Sequence, residues 1–292
     1  MVARRTRAEE VFGVFNVAFL SLFSLMCVYP MVHILFASFS NPADLMRHQG
    51  ILLSPLGFTL EGYRLTFNNP GIMTGYANTL IYVFVGTGIN LAVTSLAAYS
   101  LSRKRVLFRN PIMFMIVFTM FFSGGIIPLF LVVRGLGLLN TRLIMVLHNT
   151  VSAWNLIVMR TGFAAVPDSL EESAKMDGAN DFTVLFRIIL PLSKAVVAVM
   201  ILFYGVGHWN SWLPAVIFLQ DRDLYPLQLI LREILILQEE AAILPAVPAE
   251  DMMYRMLVRY STVIIATIPI LFSYPFLQRY FVKGVMIGSI KG

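Results

Sequence analysis

Six long apolar runs, parted by shorter polar stretches, set the pattern of this chain. They lie at about 11–38, 76–101, 111–133, 141–161, 193–219 and 258–281. A helix rises about 1.5 Å per residue, so about 20 mostly apolar residues cross a hydrocarbon layer of about 30 Å. Inside lipid every backbone N–H and C=O must be satisfied within the segment, so runs of this length predict helices. The first run follows Arg4-Arg5-Thr6-Arg7 and continues to about Phe39. That exceeds the roughly 7–15 apolar residues of a signal peptide, and no small-residue cleavage site follows early, so a retained first span is predicted. Between the runs, 39–75 carries the turn pairs Asn41-Pro42 and Asn69-Pro70-Gly71. Segment 226–240 places Leu227, Ile230, Leu231 and Ile234 at helical spacing among Arg232, Glu233, Glu239 and Glu240. This predicts an amphipathic helix, lying on the outer surface, on a partner or on its own bundle.

Composition sharpens the picture. Of 292 residues, 58% are hydrophobic and only 13% charged, too few charges to clothe a soluble fold of this size. The net charge is +6, but the basic residues sit between apolar runs rather than on one patch, which argues against nucleic acid as a partner. With the N-terminus inside, fourteen of the 22 Lys and Arg fall on the inner side, the densest group being Arg103, Lys104, Arg105 and Arg109 in a short loop. The positive-inside rule therefore predicts both termini cytoplasmic. The domains expected are a cytoplasmic N-terminus (1–10), one transmembrane domain (11–281), a cytoplasmic loop (162–192), an extracytoplasmic loop (220–257) and a cytoplasmic tail (282–292). The single cysteine, Cys27, excludes an internal disulfide framework and a cysteine metal cluster. Sixteen methionines and many phenylalanines read as packing or lipid-facing residues.

The loop 162–192 holds the most informative pattern. Ser169 with Glu172 three residues on can form a capping box. Gly178 suits the left-handed residue that ends a helix. Asn180 or Asp181 can cap the next helix, and Pro191 would bend it. The spacing Glu172-x-Ala174-x3-Gly178-x9-Ile188-x-Leu190-Pro191 resembles the EAA loop of ABC-importer permeases. In that family the short helix lies across the membrane plane, docks on the ATPase subunit and transmits ATPase closure to the spans. The resemblance assigns ATPase coupling to Ser169, Leu170, Glu171, Glu172, Ser173, Ala174, Met176, Asp177 and Gly178. Ser173 departs from the usual alanine, a change between small residues.

Three further stretches narrow the resemblance to carbohydrate permeases of the maltose type. They are Gly207-His208-Trp209-Asn210-Ser211-Trp212-Leu213-Pro214, the C-terminal Gln278-Arg279-Tyr280-Phe281-Val282-Lys283-Gly284 with Gly288 to Gly292, and Asn78-Thr79 with Ala98-Tyr99. The nearest subgroup handles larger oligosaccharides, alginate among them. The resemblance implies an all-α membrane protein of six transmembrane helices with the type I (MetI-like) ABC-importer permease fold, in the bacterial cytoplasmic (inner) membrane. It implies a second permease subunit, two ATP-binding-cassette ATPase subunits and an extracytoplasmic sugar-binding protein as partners. No cofactor is expected on this chain; ATP and magnesium would sit on the partner ATPase, since no Gly-x4-Gly-Lys-Ser/Thr phosphate loop occurs here.

Polar groups inside spans are costly and tend toward an interior. His148, Asn149, Asn155, His208, Trp209, Asn210 and Trp212 are the candidates for a sugar-contacting cavity, because aromatic rings stack on sugar faces and amides and imidazoles bond hydroxyls. Interhelical hydrogen bonding and an interfacial aromatic belt are the alternative uses of these residues. Gly124-Gly125, Pro128 and Pro269 are candidate bend points, mobile or static. Two other readings stand beside sugar import: a permease for another solute such as peptides, and an intramembrane enzyme. The second would need an acid or nucleophile beside His208 and Asn210, and the sequence offers none.

Overall fold

The computed structural model describes residues 6–243 and 249–289, and every regular element among them is helical. Arg4, Arg5 and the chain end from Ile290 to Gly292 lie outside the described residues, as do the side chains of the Gln278–Gly284 motif. The chain divides into two units.

The first unit holds 1–69 and 234–267. Helix α1 (Arg7–Ser38) opens on Thr6. The Thr6 hydroxyl accepts from the Glu9 N–H, and the Glu9 carboxylate accepts from the Thr6 N–H at 2.8 Å, a reciprocal capping box. Its large apolar side chains from Val11 to Val28 are all half or more exposed, so the protein itself covers none of this face and lipid or another chain must. Asn41 caps α2 (Pro42–Arg47). In α3 (Glu61–Asn68), Gly62 permits close approach to the long last helix, Ala249–Ser289: a Cβ there would meet the Leu257 carbonyl oxygen at 3.1 Å. Ser261 seals that contact, donating to Gly62 O at 2.9 Å and lying 2.6 Å from the Thr66 hydroxyl. The last helix runs through Pro269 and Pro275 without an interruption.

The second unit holds 70–233 and 268–292 and contains the candidate site. Its backbone element is a continuous helical run, Pro70–Ser102, made of α4 (Pro70–Ile81), a π-turn (Tyr82–Gly86) and α5 (Thr87–Ser102). By length and apolarity, α1, this run and Arg255–Phe272 can each cross a membrane. Two bent pairs would raise the number to five if each were one span. One is α6 (Arg109–Phe121) with α7 (Ile126–Gly135), bent by 114°; the other is Asp181–Leu192 with Lys194–Trp209, bent by 89°.

The runs expected as single helices at 111–133, 141–161 and 193–219 are therefore each broken, and each break has a local cause. The first falls at Phe122–Gly125, where Gly125 takes φ +82°. The second separates α8 (Arg142–Leu147) from α9 (Ala153–Ala164): Asn149 takes φ +60°, and Ser152 caps α9. The third lies at Asn210-Ser211. The Asn210 amide donates back to Val206 O and the Ser211 hydroxyl to His208 O, and Pro214 has no N–H to return to Asn210. Side chains that bond the preceding turn in this way end helices even where the apolar pattern runs on.

Two apolar clusters hold the unit. One joins Ala98 and Tyr99 to Leu156, Met159, Phe163, Leu185, Ile189 and Met200; the other joins Tyr82 to Met145, Ala215, Phe218 and Leu229. The amphipathic segment is helical, and its predicted face is buried at Leu227, Ile230 and Leu231. Asn140 fixes the connection before α8. It sits at φ +56°, and its side-chain oxygen accepts from Gln220 N–H at 3.0 Å and Asp221 N–H at 2.9 Å. Replacing it by alanine forfeits both bonds and leaves a residue that resists positive φ, so a destabilisation of about 2 kcal/mol is expected. Asn140→Gly, which keeps the backbone conformation, should lose about half as much. Thermal melting of the detergent-purified protein checks this; equal melting of all three forms would contradict it.

Candidate functional site

The segment after α9 builds the first half of the site. Helix α10 (Asp168–Met176) begins on Pro167, with Asp168 and Glu171 in its first turn, where carboxylates meet the positive end of the helix dipole. The expected capping box of Ser169 and Glu172 does not form. The helix starts two residues earlier, so Ser169 is already inside it, and its carbonyl accepts from the Ser173 hydroxyl at 2.9 Å. The far end follows the expectation. Gly178 takes φ +83°, its N–H donates to Lys175 O at 3.0 Å, and the Ala179 N–H donates to Ala174 O at 2.9 Å, closing a Schellman motif. Asn180 then caps α11 (Asp181–Val184) by accepting from the Thr183 N–H at 2.8 Å. A second π-turn (Leu185–Ile189) and α12 (Leu190–Leu192) lead to the bend at Ser193, just past Pro191.

The candidate coupling residues separate into two faces. Ser169, Leu170, Glu172, Ser173, Met176, Asp177 and Gly178 are exposed, Met176 at 88%, and Phe182 and Phe186 beyond the corner are exposed as well. An apolar cluster on a loop is unusual for a surface that meets only water. Ala174 is half-buried against the core. Glu171 points the other way. Its side chain is 7% exposed and is held by Arg105 at 2.8 Å, Lys175 at 2.8 Å and Arg103 at 3.2 Å, so it has no surface to offer a docking partner. Asp181 joins the cluster through Lys175 and Arg105, both at 2.8 Å. The hydrogen bond from Lys175 holds the Asp181 carboxyl below its usual range. Burial alone would lower Lys175, but its bonds to Asp181 and Glu171 outweigh that and raise it. Both groups stay ionised around neutral pH.

The second half is a cavity of about 280 Å³. It is lined by His148, Asn149, Asn155, His208 and Asn210 of the expected set, with Asn90, Ser152, Tyr204 and Ser211 among the others. Two of the helix breaks supply it: His148, Asn149 and Ser152 come from the break before α9, and Asn210 and Ser211 from the break after α13 (Lys194–Trp209). Asn90 was not singled out from the sequence. It is buried and its amide lies 3.1 Å from His208 Nε2. Thr94 and Tyr204 bond each other at 2.7 Å just below. Gly86 makes room for His208, since a Cβ there would overlap the His208 ring.

Trp209 and Trp212 do not line the cavity. Trp209 is buried edge-on against Tyr76, ring centroids 6.0 Å apart. Trp212, the first residue of α14 (Trp212–Phe218), stacks beneath the Arg232 guanidinium at 4.2 Å. Successive residues of a helix point about 100° apart, so His208 and Trp209 cannot share one wall.

Residues 88–287 match the family described as "Binding-protein-dependent transport system inner membrane component". The chain is 40% identical to the polygalacturonan/rhamnogalacturonan transport system permease protein YtcP of Bacillus subtilis (strain 168), covering 97% of this chain and 99% of that one. It is 38% identical to protein LplC of the same organism, covering 98% and 97%. A crystal structure of a bacterial ABC transporter involved in import of the acidic polysaccharide alginate contains a chain that superposes with a TM-score of 0.87 at 30% identity, covering 96% of this chain and all of that one. A helical fold with an exposed apolar corner, a polar cavity and these relatives lead to one conclusion: this chain belongs to the binding-protein-dependent transport system inner membrane components, as an ABC-importer permease.

Proposed function

We propose that this chain forms one half of the path for an oligosaccharide through an ATP-driven importer, working by alternating access. The observation that carries the reading is the cavity wall. Asn90, Asn149, Asn155, His148, His208, Ser152 and Tyr204 offer neutral donors and acceptors in both senses, which is the chemistry that vicinal sugar hydroxyls require. The exposed corner of Leu170, Met176, Phe182 and Phe186 would seat on an ATPase subunit, where ATP would be bound with magnesium and hydrolysed; this chain would supply no catalytic group. A second permease subunit would close the cavity from the other side, and two ATPase subunits and an extracytoplasmic sugar-binding protein would complete the assembly. Both termini would be cytoplasmic, with the Arg103–Arg109 loop and 162–192 on the same side.

One relative is named for polygalacturonan and rhamnogalacturonan and the superposing structure for the acidic polysaccharide alginate, and an oligomer of uronic acids is the substrate class proposed here. The test is ATPase stimulation of the purified, lipid-reconstituted complex by its binding protein. It would be loaded in turn with oligogalacturonides, alginate oligomers, neutral arabino-oligosaccharides and short peptides. Stimulation by the uronate oligomers supports the proposal. Stimulation by peptides alone would overturn the sugar reading.

A further inference from the structure

The Arg103 guanidinium is almost wholly buried, its side chain 5% exposed, at the point where α5 ends and turns away. Its Nη2 donates to Phe163 O at 2.8 Å and its Nε to the Ser102 hydroxyl at 3.0 Å. Its Nη1 lies 3.2 Å from Glu171 and 3.4 Å from Asp168, both in α10. One side chain thus joins the end of α5, the end of α9 and the start of the exposed corner. Helix α10 also has its own Schellman end and its own Lys175–Glu171 pair.

We propose that Arg103 and Glu171 form a latch that makes α5 move with the corner at 168–178, and that Arg103 is a positioning residue for transport. The inference rests on the permease reading above. Along the chain, α10 is tied directly only to α9 and α11. The latch adds a non-covalent link to α5, and α5 is a single unbroken α-helix from Thr87 to Ser102. Asn90 lies twelve residues up that helix from Ser102, roughly 18 Å away at 1.5 Å per residue. Asn90 in turn holds His208 at 3.1 Å in the cavity wall. A displacement of the corner therefore reaches the cavity through one rigid rod with packed contacts at both ends, which is the kind of element that can carry coupling between sites. Glu171 serves the inside of this connection, and the outer face of α10 remains available to a partner.

The test uses the complete reconstituted complex and compares wild type with Arg103→Gln, Arg103→Lys, Glu171→Gln and the Arg103→Gln/Glu171→Gln pair. Three readouts are taken: subunit recovery on purification, ATP hydrolysis without sugar, and sugar-stimulated hydrolysis with transport. Arg103→Gln is expected to keep recovery and unstimulated hydrolysis while losing stimulation by about tenfold, within the usual range of coupling between sites. Arg103→Lys keeps the charge but cannot reach all four partners, and an intermediate loss is expected. The double variant should lose less than the product of the two single losses, because the Arg103–Glu171 contact they share is removed only once. Stimulation within about twofold of wild type in Arg103→Gln, or in Arg103→Lys should Arg103→Gln fail to assemble, would overturn the latch, as would strictly multiplicative losses in the pair. A wild-type complex that no solute stimulates would overturn the permease reading, and the latch with it.

Discussion

Gly178→Val is expected to abolish transport and strip the ATPase from the complex while leaving the membrane domain folded. The reasoning separates space from conformation. Nothing lies within 4 Å of the position a Cβ would take, so a clash plays no part. The backbone at φ +83° is the whole problem. A β-branched residue held in the left-handed region costs on the order of 1–3 kcal/mol, and α10 can escape that cost by unwinding its last turn. Doing so breaks the Gly178 N–H to Lys175 O and Ala179 N–H to Ala174 O bonds, and it shifts Asn180 from its capping position on α11. The angle at which Met176 and Phe182 are presented would then change, while of the core only its edge at Ala174 and Ala179 is disturbed. Gly178→Asn is the control, because asparagine tolerates left-handed backbone and should retain most activity. Co-purification of the ATPase with tagged permease is the measurement; Gly178→Val with wild-type recovery and transport would show that the corner's geometry is not what the ATPase reads.

The second large effect is expected at Gly86, with the opposite signature. An added Cβ would meet the His208 ring at Cδ2 at 2.9 Å, with Nε2 and Cε1 closer still. The imidazole must swing away, and its hydrogen bond with Asn90 is lost inside a packed wall. Overpacking of this sort costs about 1–3 kcal/mol, and an unpaired buried amide adds a similar amount. Gly86→Val should therefore lose transport and sugar stimulation by an order of magnitude or more while recovering the ATPase normally. Gly86→Ala should fall between. If Gly86→Val transported normally, His208 and Asn90 would have no part in the sugar path. Together the two variants separate a permease that cannot dock from one that docks but cannot handle its cargo.

The sequence made plain what depends on neighbours a few residues apart. Gly178, Asn180 and the corner between them follow from local backbone chemistry, and the structure has them as expected. The amphipathic face of Leu227, Ile230 and Leu231 is also legible, because burial of a surface helix follows its own periodicity. What was missed depends on distant partners. Glu171 and Glu172 are equivalent in one dimension, and it is Arg103 and Arg105, more than 60 residues away, together with Lys175 that hold one of them inward. Asn90 stands in an apolar run like any tolerated amide, and its importance comes from His208, 118 residues later. Trp209 and Trp212 pack against Tyr76 and Arg232, a placement that follows from where α13 stops and that no local pattern carries. The broken spans could have been anticipated in part: Gly124-Gly125 marked the first, but the left-handed Asn149 has no comparable signal.

The π-turn at Tyr82–Gly86 has a consequence for how this stretch can vary. A π-turn holds one residue more than the α-helical turn it replaces. Above it, the Tyr82 hydroxyl is pinned to Leu224 O at 2.7 Å; below it, Asn90 is pinned to His208. Removing a single residue between the two anchors would let this turn relax to an α-helical one, which holds one residue fewer and leaves Asn90 facing nearly the same way relative to Tyr82. Removing a second residue would have no wide turn to absorb it and would rotate Asn90 by about 100°, so one anchor or the other would have to let go. The stretch between Tyr82 and Asn90 therefore has room to lose one residue and no more among permeases that keep both anchors.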